Sequence, residues 1–158
     1  MTVSSSTLSN NSATYGGGIY NAATVTVSNS LLSGNSARFG GGIYNSGGTV
    51  MVSDNSTLSG NTAIHADYPW SLGDGAGIYN SGGTVTISHS TLSGNSGDVL
   101  MGSGGGIYNS GGTVTVENSS SIIGNTAGDG ADVFNLGVLY LDSTSKIGIL
   151  SGNPAIPI

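Results

Sequence analysis

The chain runs to 158 residues with 29 glycines, no cysteine, 6% charged side chains and a formal net charge of −6 from two basic and eight acidic residues. So few basic groups cannot build the Lys and Arg clusters that a phosphate backbone requires, so nucleic acid is not expected as a partner. No apolar run reaches the roughly 18 residues of a membrane span, and without cysteine neither disulfides nor thiolate metal sites can form.

The first ten residues, MTVSSSTLSN, are polar and open directly on an alternating segment at Thr2-Val3. No secretory leader is expected within them; either export uses a segment outside this sequence or the sequence is a fragment. A second block, LSNN at 8–11, follows, and then GGGIYN at 16–21. The three blocks then recur. Alternating segments stand at 24–27 (TVTV), 49–52 (TVMV), 84–87 (TVTI), 113–116 (TVTV) and 138–141 (VLYL). LSGN-like segments stand at 32–35, 58–61, 92–95, 122–125 and 150–153. The glycine block returns as GGGIYN at 40–45, GAGIYN at 75–80, GGGIYN at 104–109 and GADVFN at 130–135. Blocks repeating every few tens of residues mark a solenoid. Disorder does not fit, because Val, Ile and Thr recur at fixed places, and collagen does not, because glycine is not at every third position.

Period-two alternation predicts strands with one buried face, Val25 and Val27 inward, Thr24 and Thr26 outward. Gly and Asn between blocks predict sharp corners. Leu8 and Leu32 lie 24 residues apart, room for three short strands and three turns. The predicted fold is therefore all-β: a parallel β-helix of about six triangular coils, right-handed by the crossover rule. At about 4.8 Å per coil it would rise about 29 Å. One domain is expected over 1–153, followed by a prolyl tail at 154–158 that serves as a cap or an anchor between subunits. Asn21, Asn45, Asn80, Asn109 and Asn135 are expected to stack as a corner ladder, and Asn11, Asn35, Asn61, Asn95 and Asn125 as a second.

GGGIYN followed by SGGTVTVSNSTLSGNSA-type sequence resembles the repeats of bacterial right-handed β-helix proteins. It is similar to the repeats of chlamydial polymorphic outer-membrane proteins and related autotransporter passengers, over nearly the whole chain. The resemblance implies a surface-exposed adhesive or structural protein in an extracellular setting. This chain departs from those families in carrying no barrel-forming translocator segment and no FxxN block of the usual form, so the resemblance does not extend to membrane attachment.

The spacers before the glycine blocks vary most: 12–15 and 36–39 are short, 62–74 and 96–103 long. In-register coils bring them to one edge, where solenoids often bind. The longest holds His65, Asp67, Tyr68 and Trp70, and Tyr68 and Trp70 are candidate contact residues; the competing expectation is a loop folded over the wall. Asp74, Asp98, Asp129 and Asp132 share that edge and are the candidate Ca²⁺ ligands, with solvated turn carboxylates as the alternative. No cofactor is expected.

Catalysis is not expected. A lyase needs a basic group beside clustered carboxylates, and Arg38 and Lys146 fall in distant coils. No spacing supports a Ser–His–Asp set around His65 or His89. Tyr20, Tyr44, Tyr79 and Tyr108 are expected to point outward and are candidates for contact with carbohydrate or a neighbouring subunit. Open strand edges favour a homo-oligomer or filament joined through the solenoid ends. Outward Thr pairs at Thr24/Thr26, Thr84/Thr86 and Thr113/Thr115 resemble the arrays of ice-binding solenoids, a second functional alternative. Sequons at Asn10, Asn55 and Asn118 are possible sugar attachment points.

Overall fold

Alternating valines build the first side of every coil. Val25 and Val27 are fully buried, Thr24 is exposed and Thr26 lies half-buried on the outer face, as a strand with one wet face requires. The computed structural model, which describes residues 1–64 and 73–158, stacks these segments into a parallel seven-stranded sheet. Its strands are Thr2–Ser4, Thr24–Ser28, Thr49–Ser53, Thr84–Ser88, Thr113–Glu117, Val138–Leu141 and Ile156–Pro157.

A second sheet of six parallel strands carries the LSGN-like blocks: Thr7–Ser9, Leu31–Ser33, Thr57–Ser59, Thr91–Ser93, Ser121–Ile122 and Lys146–Ile147. The third, also of six, carries the glycine blocks: Ile19–Asn21, Ile43–Asn45, Ile78–Asn80, Ile107–Asn109, Val133–Asn135 and Leu150–Gly152. Each side is thus visited at least six times, five full turns from the first visit to the sixth. Between the second and third sides, Ser36–Ala37 and Thr62–Ala63 pair as a short fourth ladder. No helix among the described residues is long and apolar enough to cross a membrane.

The core is a column of identical rungs. Leu32, Leu58, Leu92 and Ile122 come from the second side, and Ile43, Ile78, Ile107 and Val133 from the third. All are fully buried against the valines of the first. Register holds because a slip of one residue would turn every valine outward.

Each corner carries a hydrogen-bonded side-chain ladder. After the third side, Asn21 Nδ2 donates to Asn45 Oδ1 (2.8 Å), Asn45 to Asn80 (2.9 Å), Asn80 to Asn109 (2.9 Å) and Asn109 to Asn135 (2.7 Å). After the second side, Asn11, Asn35, Asn61, Asn95 and Asn125 are linked in the same manner. Asn61 shows how completely such an amide is used. Its Oδ1 accepts from the backbone N–H and Nδ2 of Asn35, and its Nδ2 donates to Leu32 O and Asn95 Oδ1. Two lone pairs and two protons are all matched.

The third corner holds a ladder that sequence reading missed. Ser6 N–H donates to Ser30 Oγ, Ser30 N–H to Ser56 Oγ, Ser90 N–H to Ser120 Oγ and Ser120 N–H to Ser145 Oγ. Each of Ser30, Ser56, Ser90 and Ser120 turns its own proton onto a carbonyl just before it.

The last coil departs from the expected register. The segment 150–153 matches LSGN in letters, yet Leu150 pairs with Val133 and Gly152 with Asn135, so it occupies the glycine-block side. Lys146-Ile147 takes the LSGN place instead, because this coil is too short to repeat all three blocks. The tail at 154–158, expected beyond the coils, supplies the seventh strand of the first sheet through Ile156 and Pro157. A proline is tolerated there because the strand is at the sheet edge.

Asn95→Ala should cost about 3–5 kcal/mol, because it strands the buried N–H and Nδ2–H of Asn61 together with the Leu58 carbonyl. Urea denaturation should show that loss, against a change within about 0.5 kcal/mol for Thr86→Ser on the outer face.

Candidate functional site

The third side turns its alternate residues outward, and four of its first five rungs place a tyrosine there. Tyr20, Tyr44, Tyr79, Tyr108 and Phe134 form one continuous stack, with centroids 5.4, 5.2, 4.9 and 5.3 Å apart and planes within 10–16° of parallel. Each such pair stabilises by about 0.5–1.5 kcal/mol beyond area burial. The stack stops where Ser151 pairs with Phe134. Its geometry bears directly on recognition. Ring faces in the stack are taken by neighbouring rings, so Tyr44, Tyr79 and Tyr108 present edges and hydroxyls, not faces.

A second, shorter aromatic column lies beside it. Tyr15 and Phe39 pair in parallel across neighbouring coils, with centroids 5.7 Å apart. Tyr15 stands at 68° to Tyr44, and Phe39 at 64° to Tyr79. Tyr15 and Phe39 are themselves near parallel, their planes 22° apart, so steep ring contacts join the two columns. Arg38 lies over the Phe39 ring, its Cζ 4.9 Å from the centroid. The readable signal was an aromatic residue immediately before the glycine block in the first two copies; the expectation had dwelt only on the tyrosine inside it.

Asp74 continues the Tyr15–Phe39 column into the next coil. It is 6% exposed, and its Oδ1 accepts from the Ser103 N–H at 2.7 Å. Desolvation raises its pKa, while the Ser103 hydrogen bond and the charge of Arg38 act against that rise. Desolvation also raises Tyr108, and it pushes Tyr79 up to about 12.

The carboxylates expected on this edge do not gather into a cation site among the described residues, where no group of three His, Cys, Asp or Glu is placed to hold a metal. Each is engaged separately. Asp132, 3% exposed, ends the second asparagine ladder: its Oδ1 accepts from Asn125 N–H and Nδ2, and its Oδ2 from Ile149 N–H. Asp98 Oδ1 accepts from the N–H groups of Leu100 and Met101 and so shapes its own turn. Asp129 is exposed and bridges through its backbone to Ser103. His65, Asp67, Tyr68 and Trp70 lie outside the described residues.

A groove of about 460 Å³ opens over the serine corner between Ser5, Asn29 and Asn55. It continues past His89 and Asn118. The sequon residues Asn10, Asn55 and Asn118 all sit in left-handed conformations at corners, with φ of 56°, 62° and 57°. Asn118 Nδ2 is held by Ser88 Oγ.

Tyr79 gives the site an alkaline signature. The folded chain keeps its proton to about pH 12, whereas the unfolded chain releases it near 10. The stabilisation is therefore complete below pH 10 and is lost as pH rises from 10 toward 12. The phenolate absorbance of native protein should show one tyrosine titrating last, and Tyr79→Phe should remove it. Asp132→Asn should lower stability by about 1–3 kcal/mol, because an amide must turn its N–H toward either the Asn125 or the Ile149 donors. A shift of the urea midpoint measures it, and added Ca²⁺ should leave the wild-type midpoint unchanged.

No curated protein and no solved structure matches the chain. The family model described as right handed beta helix region matches residues 1–125, the stretch that contains the first four glycine blocks and the regular part of both asparagine ladders. The chain belongs to the right-handed β-helix family.

Proposed function

We propose that the chain is a non-enzymatic structural and adhesive β-solenoid of the cell exterior, which associates end to end into a filament or forms one stretch of a longer rod. One observation carries this. The polar side chains of the interior and corners are engaged in joining coil to coil, and what remains outward is flat strand face and aromatic edge. A catalytic site needs groups converging on one point; here like groups repeat at coil spacing along the axis, which suits a support or an extended contact.

The end-to-end reading rests on the outermost strands. Thr2–Ser4, Thr7–Ser9 and Ile19–Asn21 each have a single neighbour in their sheets. Their other edges match the edge that each coil already offers the next. They carry neither charge nor proline, the usual blocks against edge pairing. A further coil, from this chain or a second copy, would continue all three sheets.

Ice binding has narrower support. Thr24, Thr49, Thr84 and Thr113 form an unbroken outward column. The neighbouring column is interrupted by Met51, 43% exposed, and by Tyr140. That leaves no wide regular Thr plane.

Negative-stain microscopy of purified protein should show unbranched fibres of uniform width that lengthen with concentration. A single monomeric species in light scattering across the same concentrations would refute end-to-end assembly.

A further inference from the structure

Tyrosines held in one column are phenols held in one column. Tyr20, Tyr44, Tyr79 and Tyr108 pair in register, each with the same residue of the next coil. Backbone pairing keeps such partners about 4.8 Å apart. Their rings follow that spacing, with centroids 5.4, 5.2 and 4.9 Å apart and planes 13–16° from parallel. A phenol ring turns readily on the bond that joins it to Cβ. Turned edge-on, neighbouring rings point at one another the Cε carbons that flank their hydroxyls. Two such rings need not find each other by diffusion, because the ladder already holds them side by side.

The first pair of the column is the most open to chemistry. Tyr20 is 56% exposed, whereas Tyr44, Tyr79 and Tyr108 are half-buried. Desolvation makes Tyr79 and Tyr108 hold their phenol protons more tightly, and a phenol must release that proton when an electron is taken from it. The chain has no cysteine, so no disulfide can tie one coil to the next.

We propose that Tyr20 and Tyr44 are an oxidative crosslinking site, at which a peroxidase-class oxidant with hydrogen peroxide forms a dityrosine bond between the first two glycine-block strands. One electron and one proton leave each phenol. The two phenoxyl radicals pair their electrons in a new Cε–Cε bond, and the hydrogen on each bonded carbon moves to its ring oxygen, which restores both phenols. The two electrons and two protons reduce one hydrogen peroxide to two waters. The product lacks two hydrogens and closes a loop from residue 20 to residue 44, restricting the unfolded chain as a disulfide would. The bond forms within one chain and does not depend on the filament reading.

Peroxidase and hydrogen peroxide added to the full chain in dilute solution test it. Trypsin cuts after Arg38 and Lys146, the two basic residues of the sequence. It therefore places Tyr20 in fragment 1–38, and Tyr44, Tyr79 and Tyr108 in fragment 39–146. After oxidation, the intact protein should still run as a single chain. After denaturation and digestion, the two fragments should run as one species with dityrosine fluorescence, two hydrogens lighter than their sum, with the bond placed at Tyr20 and Tyr44 by mass spectrometry. Tyr20→Phe and Tyr44→Phe should each abolish the joined species. Both variants should fold, since Phe134 already takes a place in the stack, 5.3 Å from Tyr108 and 10° from parallel. Tyr15 shares fragment 1–38 but meets Tyr44 steeply, at 68°, so Tyr15→Phe should leave the joined species unchanged. Fragments that separate after oxidation overturn the proposal. So does a joined species that survives Tyr20→Phe, or dityrosine confined to bands of two or more chains.

Discussion

Everything in this molecule depends on a buried amide finding its like one coil away. An asparagine side chain in a dry corner must match two protons and two lone pairs or destabilise the fold by several kcal/mol. Here the match is supplied by the same residue of the next coil, as at Asn61 between Asn35 and Asn95. This fixes register more sharply than the valine column can. Apolar rungs tolerate exchange of Val and Ile, as Val27, Val52, Ile87 and Val116 show. The amide rungs tolerate little, and both ladders change chemistry only where they end.

Those ends explain the buried aspartate. A ladder in which each member donates forward needs, at its last step, a group that only accepts. Asp132 meets that need, taking two bonds from Asn125 and one from Ile149. In a chain where 6% of side chains are charged, this carboxylate replaces the missing next asparagine, which accounts for a burial that would otherwise point to a metal site.

Much of the fold was legible because identity and position coincided. The Val-x-Val alternation gave the first side, and the invariant Asn of GGGIYN gave one corner. The serine ladder was hidden because Ser is common throughout the chain and only its position, two or three residues after each TVTV strand, separates Ser56 from its neighbours. The last coil misled for the opposite reason: the string LSGN at 150–153 repeats the letters of one side but, after a shortened coil, lands on another. Local strings report sequence ancestry, whereas pairing depends on how many residues are available to complete the turn. The aromatic surface was half legible. Outward tyrosines follow from alternation, but whether a ring shows its face or its edge depends on the ring above it, which no single repeat encodes.

The forward direction of the amide bonds makes the two ends of the solenoid unlike. At the first coil, Asn11 donates inward to Asn35 through both its backbone N–H and its Nδ2. At the far end Asp132 and the Asn153 carbonyl have already absorbed the donors of Asn125 and Asn135. A joint between successive copies would thus be made by strand edges alone, without the amide ladders that bind coils within a copy. Pulled along its length, such a fibre would have perforations at regular intervals of one chain, and would tear there into whole subunits before any coil opened.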